Sequence, residues 1–401
     1  MKVFICFLNK KSTIFNGTVF FKVLLLITFL SLIISEKKII GYYLLGTRKA
    51  SITDVLFFAT AFIIFIDCLI KNKMSVFIRK ILSILHVLFP LFILILSYLL
   101  LTFDSSNYLI DPYLLQGSAI FMIFSFLLLS KYQENKIIKF VFKYVLINAF
   151  LFLVIYLCTI TKVSHIFIYG EGTPALHFPF NSPNQAALFA SVLLMLGVGS
   201  ALTLGKHKLV YIIIPVMLVV ISQTGSRSIM YMLAITWIIF LILIKKKFQH
   251  IYLILGTVLS VMLFFLFTDR QGLRSITFFK SSLPSLITGT SDPWRMKAWA
   301  MHSNVQTSVH NIYIDFFIDG GIYVLAIFII FLLSLIVPLL FAIWRNRNSK
   351  NYPFYLSMGL AFFIILGSLY SNPILHLRFI WVFWGSGMAM IYNNIRGNNI
   401  A

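Results

Sequence analysis

Acidic residues are scarce in this chain, with 11 Asp+Glu among 401 residues against 33 Lys+Arg. Charge of either sign makes up only 11% of the residues, where soluble domains carry roughly a quarter. That shortage excludes an ordinary soluble globular domain. Cysteine is nearly absent too: Cys6, Cys68 and Cys158 are the three present, and two of them lie inside apolar stretches. No CxxC or Cys/His spacing occurs, so neither a disulfide framework nor a zinc site is expected. A P-loop, a GxGxxG after a strand, HExxH and GxSxG are all missing. No paired Asp-x-Asp stands outside the apolar stretches to hold a metal against a diphosphate. Nucleotide chemistry, a resident metal and a cofactor are therefore not expected.

What is abundant is hydrocarbon. Hydrophobic residues reach 60% and phenylalanine alone occurs 42 times. Apolar windows of membrane-spanning length fall near 18–35, 52–70, 81–102, 113–130, 138–160, 186–204, 209–222, 229–244, 251–267, 320–344, 352–370 and 379–392. The pattern predicts an all-α integral membrane protein of about 12 transmembrane helices. One polytopic domain covers 1–401. Thr18 to Ser35 follows lysines, as a signal peptide would, but it lacks a small-residue cleavage site and reads as a retained first helix.

The net charge of +22 would suggest nucleic acid in a soluble protein. Here no basic run is interleaved with aromatics outside the spans, so nucleic acid is not an expected partner. The basic residues sort instead by loop. With the N-terminus placed in the cytoplasm, the inner loops carry Lys71, Lys73, Arg79 and Lys80, then Lys131, Lys136 and Lys139, then Lys206 and Lys208. Lys245, Lys246 and Lys247 follow, then Arg345, Arg347 and Lys350. The outer segments 103–112, 161–185, 223–228 and 371–378 carry none, Lys162, Arg227 and Arg378 respectively. This alternation is the positive-inside pattern of a multi-pass membrane protein and predicts both termini in the cytoplasm. The segment 36–51 departs from it, with Lys37, Lys38, Arg48 and Lys49 on the presumed outer side: either the first span is misassigned, or these cations serve the outer surface, for example at anionic lipid headgroups.

Two outer segments are more than connectors. One, 161–185, ends in Phe180-Asn181-Ser182-Pro183-Asn184-Gln185. The other, 268–319, is the longest polar stretch and joins the ninth and tenth spans. Its Phe278, Phe279, Trp294, Trp299 and Met301 predict a partly helical periplasmic flap on the membrane surface. Between these segments, Gln223-Thr224-Gly225-Ser226-Arg227-Ser228 opens the eighth span. An arginine beside hydrocarbon is costly unless paired or wetted. Arg227 reads either as a snorkelling anchor or, among Gly and hydroxyls at a helix start, as a phosphate-binding fork. His310, with Asn311, heads a short amphipathic segment that runs to Gly320-Gly321. It reads either as an interfacial cap or as a base that accepts a proton from an attacking hydroxyl. Asp315 and Asp319 are spaced i,i+4, suited to orienting a base or binding a cation, or simply solvated. Arg295 with Trp299, and Arg378 at the last span, complete three guanidiniums on one membrane face, a set suited to a pyrophosphate headgroup.

These segments, in this order and spacing, resemble the O-antigen ligase and O-antigen polymerase superfamily of bacterial envelope glycosyltransferases. The features are Phe180-Asn181-Ser182-Pro183-Asn184, Thr224-Gly225-Ser226-Arg227-Ser228, and His310-Asn311 running through Gly320-Gly321 into a helix. The resemblance covers roughly 175–345, and Asp319 stands where members often have glutamate. It implies a GT-C-like membrane fold and a metal-independent transfer at the periplasmic face. An undecaprenyl-diphosphate-linked glycan would be the donor. The acceptor hydroxyl would be on lipid A–core for a ligase, or on another lipid-linked repeat unit for an O-antigen or exopolysaccharide polymerase. By the same resemblance Arg227 would grip the diphosphate and His310 would serve as general base or position the acceptor. Asn184, Asn311, Arg295, Trp299 and Arg378 are the substrate-binding candidates. Arginines suit this chemistry because a diphosphate leaving group needs charge stabilisation more than a proton. Two other classes stay open. A lipid-linked glycan flippase or exporter would use charges inside the bundle, with Lys22, Asp54 and Asp67 as candidates. An accessory membrane subunit would need no site.

Overall fold

In hydrocarbon every backbone amide and carbonyl must be satisfied internally, and a continuous apolar run does this as a helix. The computed structural model describes residues 27–28, 43–44, 48–49, 52–70, 74–101, 112–160, 182–224, 226–244, 312–369, 375 and 377–397. A two-residue antiparallel pair, β1 (Tyr43–Leu44) and β2 (Arg48–Lys49), sets Tyr43 opposite Lys49 within the basic 36–51 segment. The helices that follow are α1 (Ile52–Ile70), α2 (Met74–Ser83), α3 (Leu85–Leu101), α4 (Pro112–Leu129), α5 (Glu134–Ile160) and α6 (Pro183–Thr203). The remainder are α7 (His207–Thr224), α8 (Arg227–Leu243), α9 (Ile312–Arg345), α10 (Tyr352–Leu369) and α11 (Arg378–Gly397).

Each predicted span within the described residues coincides with a helix, offset by a few residues. The predicted spans 18–35, apart from Ile27 and Thr28, and 251–267 lie outside the described residues. Among the described residues, four helical stretches are long and apolar enough to cross a membrane: Glu134–Val154, Asn184–Thr203, Gly320–Arg345 and Tyr352–Leu369. A fifth arises if α2 and α3 form one broken span, bent by 72°. Shorter apolar helices include Ala119–Leu129, His207–Ile221 and Ser228–Leu243. The chain is a helical membrane protein. The predicted span 81–102 needs one correction: the polar Arg79-Lys80 turn belongs to α2, which breaks from α3 at Ser83-Ile84.

Exposure is inverted relative to a soluble fold. Phe62, Phe92, Leu100, Ile242, Leu340 and Trp344 are all more than half exposed, a surface that would aggregate in water but suits lipid. The helix at the centre is α6, whose apolar window is completely buried. It packs on α5, α7, α8 and α10. Helices in lipid gain little from hydrophobic transfer, so close packing of small residues and ring contacts must hold them together. Gly385 of α11 sits against the carbonyl of Met122, where a Cβ would collide with backbone. Phe331 of α9, Phe362 of α10, and Trp381 and Trp384 of α11 form a ring cluster with centroids 5.0 to 6.0 Å apart.

One end of the bundle is tied by a carboxylate. Glu134, the first residue of α5, accepts from Asn351 Nδ2 at 2.8 Å through one oxygen. Its other oxygen accepts from Tyr355 OH at 2.8 Å and Asn394 Nδ2 at 2.9 Å. Lys80 of α2 donates to the carbonyl and hydroxyl of Ser130, both at 3.1 Å, so a buried cation closes the C-terminal end of α4. Tyr352 OH donates to Leu243 O at 3.2 Å. These bonds bring the loops holding Arg79 and Lys80, Lys131 to Lys139, and Arg345 to Lys350 to a single end. That is the grouping the charge alternation predicts.

Candidate functional site

At the opposite end, the order of residues around Pro183 dictates how α6 begins. Proline fixes φ and lacks an N–H, which suits the first helical position, and a serine before it suits the cap. Ser182 takes extended backbone angles and its Oγ accepts from the Gln185 amide at 3.3 Å. Asn184 is thereby held on the first turn of the central helix.

Its partner comes from the second motif. Thr224 ends α7, its hydroxyl donating to Ile221 O at 2.6 Å and accepting from the Ser226 amide at 3.3 Å. That compact turn sets Ser226 at the cap position of α8. The Ser226 hydroxyl makes no capping bond to its own helix. It donates instead to Asn184 Oδ1 at 2.6 Å, across 42 residues. The two motifs singled out in the sequence are therefore joined side chain to side chain. Arg227 is the first residue of α8, directly beside this bond. Helix N-terminal amides not taken by a side-chain cap favour an anion; the Arg227 side chain itself lies outside the described ones.

The neighbouring helices close around this pair. Phe189, one turn into α6, meets Phe379 of α11 edge-on at 5.1 Å. In the first turn of α11, Trp381 Nε1 donates to the carbonyl of Leu375, just before the helix, at 2.6 Å. Arg378 opens α11 half-buried, its guanidinium 5.9 Å from the ring centroid of Phe121 on α4. A cation over a ring face keeps its charge while its stem is packed. On α10, Gly367 abuts the side chain of Met232 of α8, and Leu366 O accepts from Tyr313 OH at 3.3 Å.

That last bond anchors the start of α9. The predicted amphipathic segment is helical from Ile312 and breaks at the glycine pair as expected. Gly321 takes φ 68° and ψ −163°, a region open essentially to glycine alone. The helix bearing Tyr313 and Asp315 is thus turned against the span that follows. Phe316 stacks on Phe328 at 4.1 Å across this kink. Asp315 is 1% exposed, so of the readings open for it the solvated one is removed. Its place in the first turn of α9 complements the helix dipole. Burial pushes the Tyr313 hydroxyl up to about 12.

The structure thus brings Asn184, Arg227 and Arg378 to one end of the bundle, the end at which Tyr313 bonds to Leu366 of α10. Among the described residues of α6 to α11, Arg227 and Arg378 are the arginines at this end, while Arg345, Arg347 and Arg396 lie at the other. His310, Asn311, Arg295 and Trp299 lie outside the described residues, as does the flap 268–319 up to its last eight positions. No group of three or more His, Cys, Asp or Glu fit to hold a metal occurs among the described residues. Sequence reasoning missed Ser226 as the link between motifs and Tyr313 as the anchor of α9. The hydroxyls flanking Arg227 were the available signal for the first; a tyrosine three residues after a histidine gave none for the second. Comparison of the chain with known family models finds no match, and comparison with curated proteins finds none either.

Proposed function

We propose that the chain is an O-antigen ligase-like glycosyltransferase of the bacterial inner membrane. It moves a glycan from undecaprenyl diphosphate to an acceptor hydroxyl, with lipid A–core as the acceptor. The observation that supports this reading is the 2.6 Å bond from Ser226 to Asn184. It joins two of the three motifs that carry the family resemblance at one end of the helical bundle, at the start of α8. A flippase would instead use charges within the spans. Among the residues whose side chains the structure describes, the buried charged ones, Lys80 and Asp315, both lie at helix ends; the side chains of Lys22, Asp54 and Asp67, which a flippase would use, lie outside them.

In this reading the chain crosses the membrane about 12 times, with both termini in the cytoplasm and the site at the periplasmic face. Arg227 and the first amides of α8 hold the diphosphate, and Arg295 and Arg378 add positive charge around it. Asn184, Asn311 and Trp299 contact the substrates. His310 takes the proton from the acceptor hydroxyl as its oxygen bonds to the anomeric carbon. The bond from that carbon to the diphosphate breaks, and undecaprenyl diphosphate leaves with the electron pair. The charge that develops is met by arginines, so the transfer requires no metal.

A lipopolysaccharide gel tests the assignment. A strain deleted for the gene is complemented with wild type, Arg227→Ala or His310→Ala. A ligase predicts uncapped core and accumulated lipid-linked polymer in the deletion and in both variants. Core bearing a single repeat unit would mean a polymerase. An unchanged ladder, with protein levels normal, would remove the assignment to lipopolysaccharide.

A further inference from the structure

A cavity of about 610 Å³ lies at the other end of the bundle, the end that gathers the basic loops. Its existence follows from the elbow between α2 and α3. Because those helices bend by 72°, and Lys80 ties α2 to the end of α4, α2 departs from the line of α3. The floor is apolar: Pro338 from the C-terminal half of α9, and Met388 and Ile391 from α11. Polar groups come from the elbow and from α11, namely Arg79, Ser83, His86 and Tyr392.

We infer that this cavity is a binding site for an anionic phospholipid, phosphatidylglycerol, with an acyl chain on the apolar floor and the phosphate at Arg79. The floor excludes a hydrophilic solute, and a neutral lipid would leave the cation unused. Arg79 is exposed and spends Nε on Ser75 O at 3.3 Å, which leaves its terminal nitrogens for a phosphate. Among the described residues no ion pair engages it. Arg345, Arg347 and Lys350 are exposed where α9 turns into α10, beyond Pro338. Glu134, the acid at this end whose side chain the structure describes, has both oxygens engaged by Asn351, Tyr355 and Asn394, and Asp67 in the last turn of α1 is outnumbered by the basic residues. The local balance is therefore positive, as a leaflet-facing basic pocket between helices requires. The site is independent of any chemistry at the opposite end.

Native mass spectrometry of the purified full chain tests this after equilibration with equal amounts of phosphatidylglycerol and phosphatidylethanolamine of matched acyl chains. The wild type retains phosphatidylglycerol in preference. Arg79→Gln lowers that preference about fivefold, the contribution of one basic residue near anionic lipid, and Arg79→Lys keeps most of it. Ile395→Trp, which crowds the cavity from a position 46% exposed, reduces retained lipid of both kinds. Melting temperatures confirm that each variant folds. Equal retention of the two lipids by the wild type would mean ordinary annular lipid and overturn the inference. So would an unchanged preference in folded Arg79→Gln.

Discussion

Removing either partner of the Ser226–Asn184 bond should loosen the start of α8 and disable the site without unfolding the bundle. The bond is short, at 2.6 Å, and Ser226 is only 3% exposed. A net hydrogen bond contributes about 0.5 to 1.5 kcal/mol, and leaving a buried partner unsatisfied costs about 1 to 3 kcal/mol. Between transmembrane helices measured couplings are smaller, roughly 0.6 kcal/mol on average with a ceiling near 1.7. The expected coupling is therefore about 1 kcal/mol. Ser226→Ala and Asn184→Ala should each destabilise by about 1 to 2 kcal/mol, and the double variant by less than their sum. Because Arg227 follows Ser226 directly, both variants should also lower glycan transfer. The assay is a double-mutant cycle from detergent-induced unfolding followed by tryptophan fluorescence, with transfer measured on the same preparations. Additive losses, to within about 0.3 to 0.5 kcal/mol, would refute the reasoning.

Gly321→Ala should cost about 1 to 3 kcal/mol, because φ 68° with ψ −163° excludes a Cβ; it should lower activity, since this residue sets the angle of the helix that follows His310. Gly385→Leu forces α11 from the Met122 carbonyl, and its reduced yield in the membrane should be restored by no solvent condition that leaves the side chain in place. Glu134→Gln turns one of the two acceptor oxygens into an NH2 donor, which faces either Asn351 or the Tyr355–Asn394 pair with another donor; a loss of about 1 to 3 kcal/mol in the same unfolding assay is expected, with transfer intact in folded protein. Tyr313 has a folded value raised from 10.0 to about 12, so its contribution to stability is fully present below pH 10 and is lost as pH rises toward 12. Tyr313→Phe should flatten that alkaline decline.

Secondary structure was legible because membrane spans are written in long apolar runs, and lipid leaves the backbone few alternatives to helix. The break at Gly320-Gly321 was legible for local reasons, since it depends on what glycine does to its own backbone; the cap at Ser182-Pro183, which starts α6 three residues before the predicted 186–204 span, is equally local but falls outside a window of apolar residues. The elbow before α3 was not. A window average merges Ile81–Leu82 with Leu85 and cannot see that Lys80 bonds to Ser130, a residue 50 positions on. Glu134 was equally invisible: its three donors come from segments more than 200 residues away. At the site, residue types pointed to Arg227 and Asn184 separately. That they belong together rests on how α6 and α8 pack, which no spacing encodes.

The central claim is that this chain transfers a glycan using Arg227 and His310, and reconstitution tests it most directly. The purified chain is placed in liposomes with an undecaprenyl-diphosphate-linked glycan and lipid A–core, in the presence of a chelator, and released undecaprenyl diphosphate is measured. Release by the wild type, lost by about a hundredfold or more in Arg227→Ala and His310→Ala, is the predicted result. Equal release from wild type and a folded double variant, or movement of intact donor across the bilayer without release, would contradict it.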